Sequence, residues 1–412
     1  MKKNITLRYS ITHFTHWAAG TAAVSFATLY LMKRGVSSGM AGILLALSGL
    51  LSCISQPFLA SVADKAKKMI IAKMLVLMTV ICCACFVLQL IPALPVMAAG
   101  IFYMIGIWSS DAMVPLLNAL SVAYQEAGYQ VNYGLGRGVG AIASSLSALV
   151  VGFIIAKFGT VWMILFLLFF RTAGIFVFAG YPKIQKNKAQ GGNGVENGTI
   201  DASAGMETKT VVNTVTESCS ILQFFIRYKW YCVSLLAILF LGMYLAMTEN
   251  YMIVIMEKLG GDSSNVGIAI SISGLAAFPV ICCFSILQKY LKTPVILKIA
   301  AISFLIRSVL FYFADHVSMI YALQLLHVTS YAFLAPAQVS YASEKVKSSD
   351  MVKGQAFIAA AYALGCSAGN FVGGQLLPLG ANAILLAGIV MTVTGTVLMF
   401  LTVNKKDVAE KY

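Results

Sequence analysis

Twelve apolar runs of about 20 residues or more divide this chain, and they constrain its fold more than any other feature. A helix needs about 20 predominantly apolar residues to cross the hydrocarbon core of a bilayer. Backbone polar groups in lipid must be satisfied within the segment, so each run is predicted to be a helix. The runs cover 11–32, 39–62, 70–91, 96–123, 133–156, 161–181, 229–256, 265–287, 294–314, 317–342, 354–377 and 381–403.

The composition excludes an ordinary soluble enzyme. Of the 412 residues 59% are hydrophobic and 11% are charged, whereas soluble proteins carry about 25% charged residues. The chain has no His-rich cluster and no serine, histidine and acid arrangement on one helix face, so a membrane enzyme is also disfavoured. The nine cysteines are expected to pack in apolar helices rather than to bind metal. No cofactor is expected beyond a coupling ion, for which we favour the proton.

The runs fall into two sets of six, separated by a polar segment. We predict an all-α membrane protein with 12 transmembrane helices in two pseudo-symmetric six-helix bundles: residues 1–182, a flexible linker at 183–228, and residues 229–412. Most of the 29 Lys and Arg fall on the side of the termini and the linker, which predicts a cell (inner) membrane protein with both termini cytoplasmic. The net charge of +14 therefore indicates orientation in a lipid bilayer and no nucleic-acid partner.

An ionisable side chain within a membrane span costs free energy, so its presence there suggests a functional role. At about 1.5 Å per residue, Glu249, Arg307 and His327 lie at a similar depth and are predicted to form a proton-coupling cluster. A static ion pair is the alternative. Gln324, His327 and Ser330 recur every three residues and are expected to offer polar groups to a solute, together with Asn250.

The fourth span is expected to supply the other half of a solute site. Asp111 and Asn118 are seven residues apart and share one helix face with Trp108, which is expected to stack on a ring of the solute. We expect Asp111 to act in both binding and proton coupling, and Arg137 to reach it or Asn118. Packing around a satisfied polar pair is the alternative.

Two further groups in the spans are given no part in transport. His13 and His16 are expected to lie at the cytoplasmic interface, and Arg171 is expected to pack against polar groups near the linker.

The pattern as a whole resembles the major facilitator superfamily of secondary transporters. The loop after the second span has Asp64 and Lys68 where that superfamily has a gating motif, although both glycines of the motif are missing. The chain is similar to the oligosaccharide/proton symporters and to related phenylpropionate and nucleoside permeases, on the segments 48–57 and 132–140 and on Arg307 and His327.

The resemblance implies a solute role for Trp17, which falls where the symporters have an aromatic residue against the sugar. It also exposes departures: Asn118, Ser330 and Tyr362 fall at or near positions where those symporters have charged residues. We keep these three as solute ligands and expect neither lactose as substrate nor proton transfer by the same residue.

We therefore expect a monomeric secondary transporter that carries a small polar solute, sugar-like or nucleoside-like, with protons by alternating access. A proton-antiport exporter of amphipathic compounds is the alternative, suggested by the 11% aromatic residues and 19 methionines. A membrane sensor without transport is a different class, for which the sequence offers little.

Overall fold

The structure, a computed structural model, is built of helices throughout the residues that it describes, which are 4–65, 71–182, 220–405 and 407. We number twelve spans along the chain. Their helices are Thr6–Ser25 with Ala27–Lys33 (span 1), Ser38–Lys65 (2), Ile71–Leu88 (3), Val96–Ala112 with Val114–Glu126 (4), Tyr133–Phe158 (5), Thr160–Ala179 (6), Lys229–Asn250 with Met252–Lys258 (7), Ser263–Cys282 with Phe284–Tyr290 (8), Thr293–Tyr312 (9), Val317–Gln324 with Leu325–His327 and Tyr331–Lys345 (10), Met351–Leu376 (11) and Ala381–Thr402 (12).

The twelve apolar runs are confirmed as helices, with ends that differ by a few residues. Eleven spans are long and apolar enough to cross a membrane. Span 1 is the most polar: Arg8, His13, His16 and several threonines lie in its first helix. That helix packs along spans 5 and 6, so its polar side chains face protein.

Five of the described spans are broken, and the breaks in spans 1, 4, 7 and 10 fall at corresponding places in the two halves. Span 1 breaks at Phe26, span 4 at Met113, span 7 at Tyr251 and span 10 between Gln324 and Tyr331, and span 8 breaks at Cys283. Discontinuous helices are typical of transporter binding sites because their freed backbone groups lie next to a cavity. The spacing of Gln324, His327 and Ser330 predicted that they lie on one continuous helix. That prediction is wrong, since a 3-10 turn and non-helical residues interrupt span 10.

The predicted linker falls outside the described residues except for its last nine, and these form a short helix, Ile221–Arg227. Ser220 and Gln223 form a capping box at its start. Phe224 is buried against Tyr228 and Phe357. The end of the segment expected to be flexible is thus ordered by an aromatic anchor. Lys68 of the predicted gating loop lies outside the described residues, and Asp64 lies in the last turn of span 2.

Among the described residues, the apolar core that both halves share lies at one membrane face. We call the face where the first and last spans begin and end the terminal face and the other the opposite face. At the opposite face a single apolar core takes residues from both halves, including Phe26, Phe86, Met256 and Phe311. At the terminal face each half has its own core, one around Leu116 and Tyr124 and another around Tyr231 and Phe304.

Glycines bring the crossing helices into backbone contact at the opposite face. Gly42 of span 2 meets Gly374 of span 11, and a Cβ on Gly42 would lie 2.7 Å from the Gly374 Cα. Gly152 of span 5 meets Gly267 of span 8, where a Cβ on Gly152 would lie 2.5 Å from the Ser263 carbonyl oxygen. Small residues at such crossings permit close helix packing in membranes.

Gly152→Ala should destabilise this contact, because the added methyl group would overlap backbone that cannot rotate away. Overpacking of this kind costs about 1–3 kcal/mol, so we expect a lower thermal unfolding temperature for the detergent-purified protein. Gly134→Ala in the same span is the matched control, since its Cβ would meet only a side-chain oxygen of Asn132 at 3.6 Å. Equal unfolding temperatures for the two variants would contradict the contact.

Candidate functional site

A cavity of about 350 Å³ lies between the two halves, and both carboxylates that the sequence singled out line it. Asp111 of span 4 borders it from the first half and Glu249 of span 7 from the second. Spans 2 and 11 supply other walls. The polar groups that line the cavity besides the two acids are Ser48, Ser52, Cys53, Gln56, Asn250, Tyr362, Cys366, Ser367 and Asn370.

Sequence reasoning missed the contribution of span 2, although a signal for it was present. Ser48, Ser52 and Gln56 are spaced by four residues in an otherwise apolar helix, and residues at this spacing share one helix face. All three border the cavity. The Gln56 side-chain nitrogen also donates a hydrogen bond to the Asp111 carbonyl oxygen at 3.2 Å. Span 2 thereby helps to hold span 4 where the helix breaks.

Glu249, His327 and Arg307 lie together, as their equal depth predicted. The Nδ1 of His327 lies 4.0 Å from the Glu249 Oε1 and 3.4 Å from an Arg307 nitrogen. Arg307 is fully buried and donates a second hydrogen bond, of 2.6 Å, to the Gln324 Oε1. About 39% of the Glu249 side chain is accessible, against 8% for His327, so the carboxylate is the group in this cluster that meets the cavity.

The contact with Arg307 favours one form of His327. A guanidinium has only N–H donors, so this contact favours the neutral imidazole whose Nδ1 accepts and whose proton is on Nε2. In this form the Nδ1 does not donate to Glu249. In this conformation His327 and Gln324 therefore orient Arg307, and the carboxylate of Glu249 keeps its oxygens free for a proton or solute.

Span 4 presents Asp111 to the cavity but directs two other predicted ligands elsewhere. The indole N–H of Trp108 donates to the Ser55 hydroxyl at 3.0 Å, and Trp108 is not among the described residues that border the cavity. Asn118 accepts a hydrogen bond from the Tyr133 hydroxyl at 3.4 Å. The stacking role predicted for Trp108 is not supported, since its polar edge joins span 4 to span 2.

Arg137 and Trp17 form their own pair nearer the terminal face. The Arg137 guanidinium lies over the Trp17 ring, 5.2 Å from its centre, which is the geometry of a cation–π interaction. The Trp17 indole N–H points to the His13 Nδ1 at 3.3 Å. Asn118, one of the two partners expected for Arg137, is hydrogen-bonded to Tyr133 instead.

In the second half, Asn250 and Tyr362 border the cavity whereas Ser330 does not. The Asn250 amide donates to the Asn370 side-chain oxygen at 2.6 Å, which links spans 7 and 11. The Ser330 hydroxyl is fully buried and donates to the Leu326 carbonyl oxygen at 2.8 Å. The solute role predicted for Ser330 is therefore not supported, because its donor is used by its own broken helix.

The expectation that His13 and His16 lie at the membrane interface is wrong, as is the position expected for Arg171. His13 is fully buried and His16 is 4% exposed. The His16 Nδ1 lies 3.1 Å from an Arg171 nitrogen, and the other terminal nitrogen of Arg171 donates to the Ser110 hydroxyl. Arg171 is thus enclosed by spans 1 and 4 within the first half.

Comparison with known proteins agrees with this architecture. A family model described as the MFS_1-like family matches residues 6–386. The chain belongs to this family. It is a multi-pass membrane transporter of the major facilitator superfamily rather than an enzyme. No curated protein sequence is significantly similar to the chain.

Solved structures of low sequence identity share the fold. The nucleoside transporter NupG superposes with a TM-score of 0.76 at 14% identity, covering 97% of this chain and 98% of that one. A bacterial homologue of the human lysosomal transporter Spinster, inward-facing and unoccupied, gives 0.67 at 12% identity over 97% and 96% of the chains. A POT family transporter in complex with 5-aminolevulinic acid gives 0.63 at 12% identity, again over 97% and 96%.

Gln324→Leu should destabilise the protein, because Arg307 would lose its shortest hydrogen bond while fully buried. A hydrogen bond to a charged group contributes about 1.5–3 kcal/mol, so a clear fall in the thermal unfolding temperature is expected. Gln375→Leu removes an exposed Gln–backbone hydrogen bond and should change stability by less than about 0.5 kcal/mol. A Gln324→Leu protein as stable as this control would show that Arg307 does not depend on the contact.

Proposed function

We propose that this transporter moves a small, uncharged polar solute, sugar-like or nucleoside-like, together with protons. The observation that carries the proposal is that Asp111 and Glu249, one from each half, border the same cavity. Carboxylates are expensive within a membrane and are retained where ionisation serves a function. A proton taken up on a carboxylate oxygen at one face can be released at the other face when the cavity changes its access.

The packing of the halves supports alternating access. One shared apolar core joins them at the opposite face, while the terminal face has two separate cores. The close contacts of Gly42 with Gly374 and of Gly152 with Gly267 lie on the closed side. In this proposal the two halves rock about the cavity, so that these contacts open when those at the terminal face form.

The cavity lining favours an uncharged solute with many hydrogen-bonding groups. Hydroxyls and amides predominate among its polar groups, with Ser52, Gln56 and Asn250 among them, and these can donate and accept. No lysine or arginine is among the described residues that border the cavity. Its volume of about 350 Å³ lies at the lower end of the ~300–1,000 Å³ typical of ligand sites, which suits one or two rings. The nucleoside named for NupG is of this class.

The lining gives less support to export of amphipathic compounds. That alternative rested on methionine and aromatic side chains, which form adaptable apolar sites. Tyr362 is the one aromatic residue among the described residues at the cavity, and no methionine borders it there. The methionine and aromatic side chains on which the alternative rested therefore lie mostly elsewhere in the spans, and aliphatic residues such as Leu45 and Ile107 form the apolar wall of the cavity.

Glu249→Gln and Asp111→Asn should each impair proton-driven accumulation of solute in proteoliposomes, because an amide does not bind and release a proton near neutral pH. Exchange of solute across the membrane without a gradient should persist, since that step needs no net proton movement. Glu257→Gln is the control, as this carboxylate of span 7 is exposed. Full accumulation by both single variants and by the double variant would refute proton coupling through these residues.

The solute class can be tested before transport is measured. Bound ligand stabilises the folded state by mass action, so sugars or nucleosides should raise the thermal unfolding temperature of the purified protein, while organic cations and amphipathic drugs should not. Asn250→Ala should reduce the rise, because it removes a donor at the cavity. A rise produced by amphipathic compounds alone would favour the exporter.

A further inference from the structure

Arg171 is a buried cation in the first half that the proposed function has not used. It is 2% exposed, and its two terminal nitrogens contact the His16 Nδ1 at 3.1 Å and the Ser110 hydroxyl. Its Nε has no hydrogen-bond partner. Because a guanidinium only donates, His16 must accept through Nδ1 and is neutral. Both hydrogen-bond partners of Arg171 are thus uncharged, which leaves its charge without compensation by direct contact.

The adjoining carboxylate is Asp111, which follows Ser110 in span 4. Arg171 donates to the hydroxyl of the residue directly before Asp111, which places its guanidinium beside this part of span 4, although the two side chains form no direct ion pair in the described contacts. The other titratable groups of the first half near Asp111 are His16 of span 1, which contacts Arg171, Cys53 of span 2, which borders the cavity, and Cys82 of span 3. Across the cavity lie Glu249 of span 7 and the thiol of Cys366 in span 11. Arg171 is the one cation in this set.

The second half repeats this combination of groups. Glu249 borders the cavity, and behind it a neutral histidine and a buried arginine, His327 and Arg307, are hydrogen-bonded to each other. In each half the carboxylate borders the cavity, whereas the arginine is buried between helices. The acid lies on span 4 and the histidine on span 1 in the first half, whereas the acid lies on span 7 and the histidine on span 10 in the second. If spans 1–6 correspond to spans 7–12, the two roles are exchanged between equivalent helices.

We propose that Arg171, held by His16 and Ser110, is the counter-charge of Asp111, so that the cavity contains two separately compensated proton sites, one in each half. Arg171 is a positioning residue in this scheme, since it acts on the proton through Asp111. The inference deepens the proposed function and rests on it for its meaning in transport.

The net charge at the cavity depends on how many protons the two acids bind. With both acids ionised, each is balanced by an arginine, so the walls carry no net charge. Each proton bound leaves one arginine unbalanced. The charge that the cavity carries across the membrane therefore rises by one with each proton, and two such sites allow two protons per solute.

Infrared difference spectroscopy of the full-length protein in lipid tests this without any solute. Spectra recorded between alkaline and acidic buffer should show two carboxyl bands that appear as protons bind, one lost in Asp111→Asn and the other in Glu249→Gln. Arg171→Gln should let the Asp111 band form at a proton concentration at least about tenfold lower, since a nearby opposite charge changes proton affinity by about ten- to a thousandfold. Arg171→Lys, which keeps the charge, should show a smaller change.

Arg307→Gln is the matched control and should move only the Glu249 band. A spectrum in which Arg171→Gln leaves the Asp111 band in place, or moves both bands equally, would overturn the assignment, as would the absence of a band that depends on Asp111. Two bands that follow this pattern in a protein whose Glu249→Gln and Asp111→Asn variants still accumulate solute would support the proton sites and refute the coupled transport.

Stability provides a second readout if Arg171→Gln folds poorly. Counter-charges predict that the double variant Asp111→Asn/Arg171→Gln unfolds at a higher temperature than Arg171→Gln alone, because no unbalanced charge remains. If the decreases in unfolding temperature of the two single variants simply add in the double variant, the residues do not interact. That result would overturn the proposal.

Discussion

Burying charge among apolar helices is the constraint on which the rest of this structure depends. In hydrocarbon an ionised side chain is tolerated only when it is paired, hydrogen-bonded or next to water. Arg307 meets this condition through Gln324 and His327, and Arg171 through His16 and Ser110. These contacts tie spans 9 and 10 together in one half and spans 1, 4 and 6 in the other. These charges therefore fix helix contacts behind the cavity, whose described walls come mainly from spans 2, 4, 7 and 11.

The same structure has to be stable and yet able to change its access. The glycine contacts at the opposite face allow the backbones of crossing helices to touch, beside the apolar core that both halves share there. At the terminal face each half has its own apolar core. In the proposed alternating access, the apolar interior of each half stays packed while the halves move about the cavity.

The spans and the charged cluster of the second half were predictable, whereas much of the first-half site was not. The limits of each span follow from the length of its apolar run, which can be read from the neighbouring residues in the sequence. Glu249, Arg307 and His327 were found because depth along a helix can be counted from its end. Trp108 and Ser330 were predicted as solute ligands but do not border the cavity, because the direction of a side chain depends on the neighbouring helix and on a break in its own helix. His16 was misplaced for a related reason: its partner Arg171 is 155 residues away in the sequence.

The amino-acid sequence by itself determined that this chain is a double bundle of membrane helices with two carboxylates in its spans, because apolar periodicity and the cost of charge in lipid act residue by residue. Only the tertiary structure decided that Asp111 and Glu249 share one cavity, that Ser48, Ser52 and Gln56 border it, and that Arg171 contacts Ser110, the residue before Asp111. Those relations depend on how the helices cross and rotate about their axes, and helix rotation is set by contacts between residues far apart in the chain.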